Sequence, residues 1–137
     1  MRLPRLRANQ DGLLMDTVGR VVEGCTNNLF LVENGHLVTP DLGVAGVSGI
    51  MRGRVIEYGR QHGLACAVKH VYPDQLVRAQ EVFLTNAVFG ILPVRSIDAH
   101  SYRIGPVTLR LLNALCQGVY FTERSLHQVS IHAGQDP

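Results

Sequence analysis

The chain has 137 residues, is 46% hydrophobic and carries a formal net charge of +2. That is enough length and apolar content for one domain with a core of its own. Its basic residues are scattered apart from Arg2, Arg5 and Arg7, which argues against the dense basic face of a nucleic-acid binder. No apolar run approaches a membrane span, and MRLPRLRANQDG lacks the apolar centre of a signal peptide. The expectation is a cytoplasmic protein with no nucleic-acid or membrane partner.

In chain order, residues 1–11 read as a basic arm or the remnant of a preceding helix, residues 12–121 as the domain and residues 122–137 as a poorly ordered tail. GLLMD and RVVEG predict a hairpin across TVGR. NLFLVE and HLVTP flank Asn34-Gly35, a pair suited to the positive φ angles of a type I′ turn, and predict a second hairpin. The apolar period then lengthens: Val47, Met51, Val55 and Tyr58 form one stripe of a helix ending at His62–Gly63. Gly53 and Gly59 weaken that helix intrinsically, so burial of the stripe must hold it. LACAVKHV predicts a strand, PDQLVRA a short helix opened by Pro73, and EVFLTNA and GILPVRSID two further strands. YRI is read as the last strand, followed by a helix from Gly105 to about Tyr120 with Leu109, Leu112 and Leu115 on its apolar side. Hairpins interleaved with helices imply the α/β class: a mixed, largely hairpin-built sheet or pseudo-barrel with packed helices.

Cys25, Cys66 and Cys116 are far apart and form no CxxC pair, so neither a zinc site nor a disulfide framework is indicated. None of the six histidines has metal-ligand spacing to another, and no metal is expected. Three segments carry possible chemistry. Glu23 sits inside the apolar strand RVVEGC, where a carboxylate must be paired, hydrogen-bonded or turned to the other face. GVAGVSGIMR is a glycine-rich turn into a helix, a natural cradle for phosphate, although it is neither a Walker loop nor GxGxxG. Thr85 and Asn86 close a strand where small polar groups complete an anion site or simply form a turn.

In combination and order, these segments resemble the fold-type IV pyridoxal-phosphate enzymes, the group of the branched-chain and D-amino acid aminotransferases. AGVSGIMR and EVFLTNAVFGILPVRSID are similar to the form these segments take in its 4-amino-4-deoxychorismate lyases. The resemblance runs from about Gly12 to Leu115 and implies the large C-terminal domain of that fold, with pyridoxal 5′-phosphate as cofactor. It implies that Glu23 partners the pyridine nitrogen, and that the backbone N–H groups of Ile50 and Met51 hold the phosphate. Asn86 and Ala87 would form a second phosphate-side segment. Thr26, Asn27 and Asn28 would support the ring or the strand geometry. In such a lyase a lysine moves a proton, pyruvate leaves and the product is 4-aminobenzoate, a folate precursor.

The family's cofactor lysine precedes the glutamate, and here no lysine lies between Met1 and Glu23; Lys69 is the only lysine in the sequence. No catalytic residue is therefore assigned. The expectation is a C-terminal domain or fragment, inactive or nearly so alone, with weak or no cofactor affinity by itself. Its implied partners are a small-molecule substrate, a missing N-terminal domain and a second copy in a homodimer. Two alternatives stand beside it: a fold-type IV aminotransferase fragment, and a non-catalytic interaction domain.

Overall fold

The structure, a computed structural model, describes residues 10–15, 20–24, 27–42, 49–86, 90–116 and 127–132. Its strands are β1 (Gln10–Met15), β2 (Val21–Gly24), β3 (Asn28–Glu33), β4 (His36–Pro40), β5 (Cys66–Lys69), β6 (Glu81–Asn86), β7 (Gly90–Ile97), β8 (His100–Ser101) and β9 (His127–His132). The helices are α1 (Ile50–Gln61), α2 (Pro73–Arg78) and α3 (Pro106–Leu115). The strands form one mixed sheet in the order β2-β1-β9-β7-β6-β3-β4-β5, with β8 paired to β7. The pairs β1–β2, β3–β4, β3–β6 and β6–β7 are antiparallel, while β5 lies parallel to β4 and β9 lies parallel to both β1 and β7. The sheet is open. Among the described residues its two ends are linked by one isolated bridge, in which the Val21 N–H donates to the Val71 carbonyl at 2.6 Å. Two residues later Pro73 starts α2, so the chain leaves the sheet before a closing ladder can form.

The expected hairpin turn is present: Asn34 and Gly35 have φ of 49° and 77°, and Glu33 pairs with His36 across them. Alternation along β3 and β6 divides the core in two. Leu29, Leu31, Val82 and Leu84 face one side, with Val21, Val38, Val71 and Leu76. Phe30, Val32 and Phe83 face the other, under Met51 and Val55 of α1 and Leu111 of α3. Phe30 and Phe83 are direct cross-strand partners, with rings 5.0 Å apart and nearly parallel. Such a pair adds roughly 0.5–1.5 kcal/mol to what burial alone contributes.

Several expectations change. The stripe of α1 buries Met51, Val55 and Gly59, with Tyr58 only partly covered; Val47 lies outside the described residues. The last short strand is His100–Ser101 and not Tyr102–Ile104. On α3 the fully buried side chains are Thr108 and Leu111, while Leu109 is 45% exposed; Leu112 and Leu115 do pack partly against the core. The helix is oriented by its N-terminus. The buried Glu81 carboxylate accepts from the N–H groups of Val107 (3.3 Å) and Thr108 (2.8 Å), capping α3 where Gly105 has no side chain to do so. A Cβ on Gly105 would meet that carboxylate at 2.2–2.5 Å. Within the segment expected as a tail, His127–His132 forms β9 between β1 and β7. Val129 and Ile131 supply the period-two alternation that this strand needs.

The two glycines of α1 turn out to be opposite cases. Nothing lies within 4 Å of a Cβ built on Gly53, whereas one on Gly59 would stand 2.2 Å from the Leu64 carbonyl oxygen. That close approach lets the Leu64 N–H return to the Gly59 carbonyl at 2.9 Å, around Gly63 at φ 74°. Gly53→Ala is expected to stabilise the chain by about 0.5–1 kcal/mol, as helix propensity dictates. Gly59→Ala, the same change one and a half turns later, is expected to cost about 2 kcal/mol. Urea denaturation of both variants checks the opposite signs.

Candidate functional site

The described site residues gather at one end of the β3–β6 ladder. Asn28 pairs with Thr85 on its last rung, and Asn27 and Asn86 flank that rung. Alternation places Asn28 and Thr85 on the face of Phe30 and Phe83, beneath α1 and α3. Asn27 and Asn86 fall on the opposite face, that of Leu29 and Leu84. Asn86 Nδ2 donates to Asn27 Oδ1 at 2.7 Å, and Asn27 is 5% exposed.

Helix α1 starts directly over this rung. A Cβ on its N-cap residue, Gly49, would lie 2.4 Å from Asn28 Oδ1, so any side chain there would displace the asparagine. The methyl carbon of Met51 reaches to 3.5 Å from the Cβ position of Gly90, the residue that opens β7 opposite Asn86 with φ at 78°. Arg52 Nη2 donates to the Pro40 carbonyl at 3.3 Å, tying the first turn of α1 to the last residue of β4. The start of β3, the end of β6, the start of β7 and the N-terminus of α1 thus meet in one place.

Its electrostatics suit an anion. The N-cap of α1 has no side chain, and its first turn contains no acidic residue. The first-turn N–H groups point out of the helix with the positive end of its dipole, and Arg52 adds a formal positive charge. At α3 the protein fills the corresponding position with the Glu81 carboxylate. Thr85 Oγ1, fully buried opposite Asn28, has no hydrogen-bond partner among the described residues. An uncapped helix start beside an orphaned hydroxyl fits a phosphate-bearing group.

Of the residues named from sequence, Asn27 and Asn86 are joined to each other on one face of the ladder end, while Ile50 and Met51 start α1 on the other face. Ile50 is 80% exposed and Met51 9% exposed, so only the backbone of Ile50 is anchored in the site. Glu23 is described as a backbone position of β2 paired with Leu14, and its side chain lies outside the description. Thr26 and Ala87 lie outside the described residues. Sequence reading gave no role to Arg52 or Gly49, although a glycine at a helix N-cap is itself a sign of close approach. Lys69 is half exposed on β5, with Nζ 3.7 Å from Glu33 Oε2.

Of the two described thiols, Cys116 is buried and Cys66 is partly exposed. Burial pushes its thiol up to about 11, against a smaller opposing pull from the Arg52 charge. The thiolate is the reactive form, so this burial lowers the reactivity of Cys66 at neutral pH. At pH 8 its alkylation by iodoacetamide is expected to be on the order of a hundredfold slower than that of a free thiol. Peptide-resolved mass spectrometry measures this directly, and a rate equal to the free thiol would place Cys66 in an open, polar setting. The sign for stability follows. A thiol whose folded value is raised stabilises the fold below the unfolded value near 9, and that contribution is lost as pH rises from 9 through 11.

Residues 4–97 match the family Amino-transferase class IV. Among curated relatives, the chain is 36% identical over 105 residues to a probable branched-chain-amino-acid aminotransferase of Thermotoga maritima, covering 74% of this chain and 38% of that one. It is 33% identical over 105 residues to an aminodeoxychorismate lyase of Vibrio harveyi, covering 74% of this chain and 39% of the other. Among solved structures, 4-amino-4-deoxychorismate lyase from Pseudomonas aeruginosa superposes with a TM-score of 0.76 at 42% identity, covering 81% of this chain and 41% of that one. An aminotransferase from Brucella abortus described as bound to the cofactor PLP gives 0.71 at 30% identity, over 73% and 36% of the two chains. The chain therefore spans about two-fifths of the length of the curated relatives it matches. On the family match and on the shared fold, it belongs to the class IV aminotransferase family.

Proposed function

We propose that this chain is the cofactor-holding C-terminal domain of a pyridoxal-phosphate-dependent 4-amino-4-deoxychorismate lyase. The observation that carries the reading is the start of α1, set over Asn28 with no side-chain cap and no acidic residue in its first turn. The N–H groups of Ile50 and Met51 would donate to the cofactor phosphate, with the helix dipole and the charge of Arg52 favouring the anion. Asn86, held by Asn27, would bound the phosphate side. Glu23, as the family resemblance implies, would keep a proton on the ring nitrogen. With that nitrogen protonated, the bound cofactor supplies electron withdrawal from the substrate's α-carbon.

Proton transfer needs a base, and the described residues of the site offer none. Its one lysine is half exposed and ion-paired with Glu33, which is not the desolvated setting that activates an amine. Catalysis accordingly belongs to a protein that adds a lysine and the rest of the substrate pocket. The 42% identity to the Pseudomonas lyase supports lyase chemistry. The 36% identity to the Thermotoga protein supports the second reading, a branched-chain aminotransferase.

Two measurements test this. Calorimetric titration with pyridoxal 5′-phosphate is expected to show binding by the chain alone, weakened about tenfold or more in Glu23→Gln, the scale of a lost charge-assisted hydrogen bond. No binding by the unsubstituted chain would defeat the cofactor assignment. In the protein isolated from its native source, release of pyruvate from 4-amino-4-deoxychorismate is expected. Transfer of an amino group from a branched-chain amino acid to a 2-oxo acid, without pyruvate release, would favour the aminotransferase.

A further inference from the structure

We infer that Asn27 is a positioning residue: its carboxamide oxygen sets the direction of the Asn86 side chain, and through it the phosphate side of the pocket. The inference rests on the cofactor reading above. The two residues are 59 positions apart and meet because β3 and β6 are paired, with the Asn28–Thr85 rung immediately beside them. Asn86 Nδ2 donates to Asn27 Oδ1 at 2.7 Å, and Asn27 is 95% removed from solvent.

A bond of this kind has a direction. A carboxamide presents a donor end and an acceptor end. With Asn27 in this orientation, turning Asn86 over would set two oxygens against each other at hydrogen-bond distance, and the Asn27 oxygen is buried. One orientation of Asn86 is therefore favoured, and its Oδ1 is left pointing away from Asn27. Asn27 also follows Glu23 by only four positions. The bond thus joins the residue before β3 to the end of β6.

The direction of the bond is what makes the role testable. Asn27→Asp keeps an acceptor in place, whereas Asn86→Asp exchanges the donor for an acceptor facing an acceptor. In thermal unfolding without ligand, Asn86→Asp is expected to lower the midpoint by about 5 °C, and Asn27→Asp by no more than about 2 °C. Calorimetric titration with pyridoxal 5′-phosphate is run in about 0.5 M salt to screen the added charge. Asn27→Ala is expected to weaken binding about tenfold, Asn27→Asp to restore it to within about threefold, and Asn27→Ala/Asn86→Ala to bind no worse than the weaker single variant. The assignment is overturned if Asn27→Asp is as damaging as Asn27→Ala, or if Asn27→Ala lowers the midpoint and leaves binding unchanged. Those results require that the unsubstituted chain binds pyridoxal 5′-phosphate; if it does not, the cofactor reading falls and the positioning role falls with it.

Discussion

The antiparallel ladder between β3 and β6 is the constraint from which the rest of the domain follows. It pairs Asn28–Val32 with Glu81–Thr85, residues 49 to 57 positions apart, so it encloses the segment between them. Its two faces feed the two apolar clusters, through Leu29 and Leu84 on one side and the Phe30–Phe83 stack on the other. Its two ends do different work. At one end Glu81 turns its carboxylate into the N-terminus of α3. At the other, Asn28 and Thr85 lie beneath the start of α1, and Asn27 and Asn86 are hydrogen-bonded to each other on the opposite face.

Both helices lie on the same face of the same strands, and each begins with a glycine that has no side chain to cap it. The contrast between them gives the site its meaning. A helix start buried against a sheet exposes N–H groups that need an acceptor. For α3 the acceptor is a protein carboxylate placed by the first residue of β6. For α1 the first turn holds an arginine and no acid. That contrast, a buried glutamate at one helix start and a buried unpartnered threonine hydroxyl near the other, is what supports the proposal of an anion at α1.

Much of this architecture was legible in the sequence because its signals are local. Asn34-Gly35 specifies its turn by φ alone, Pro73 opens α2, and the apolar alternation of EVFLTNA and ILPVRSID marks β6 and β7. What failed was the inference from residue type to burial where a distant partner decides. Gly59 was read as a weakness of α1, and it is the point where Leu64 crosses the helix. Leu109 was assigned to the core of α3, but the bond from Thr108 to Glu81 sets the helix rotation and brings a threonine inward instead. The alternation of Val129 and Ile131 was present in the chain end, yet no local pattern states that this strand lies parallel between β1 and β7. In the site, the glycine-rich turn and the strand-end asparagine were readable as separate pieces. Their meeting was not, because the rung that joins them is long-range.

The division of labour in the molecule follows from the same geometry. Holding a phosphate needs backbone donors, a dipole and a rigid seat, and a sheet with a helix set on its end provides all three without a single titratable nucleophile. Moving a proton needs a base whose charge has been made costly by its surroundings. The described thiols do not meet that need, since Cys116 is buried and Cys66 is kept protonated at neutral pH by the same burial that stabilises the fold. Nor does Lys69, whose ammonium is half in water and held by Glu33. The residues that build the seat are those that bind the sheet together, so the seat persists wherever the domain folds. The base is a separate requirement that none of these described groups meets. That separation is why the arrangement is read as a place where a cofactor is held and oriented, with the chemistry assigned to what is added to it.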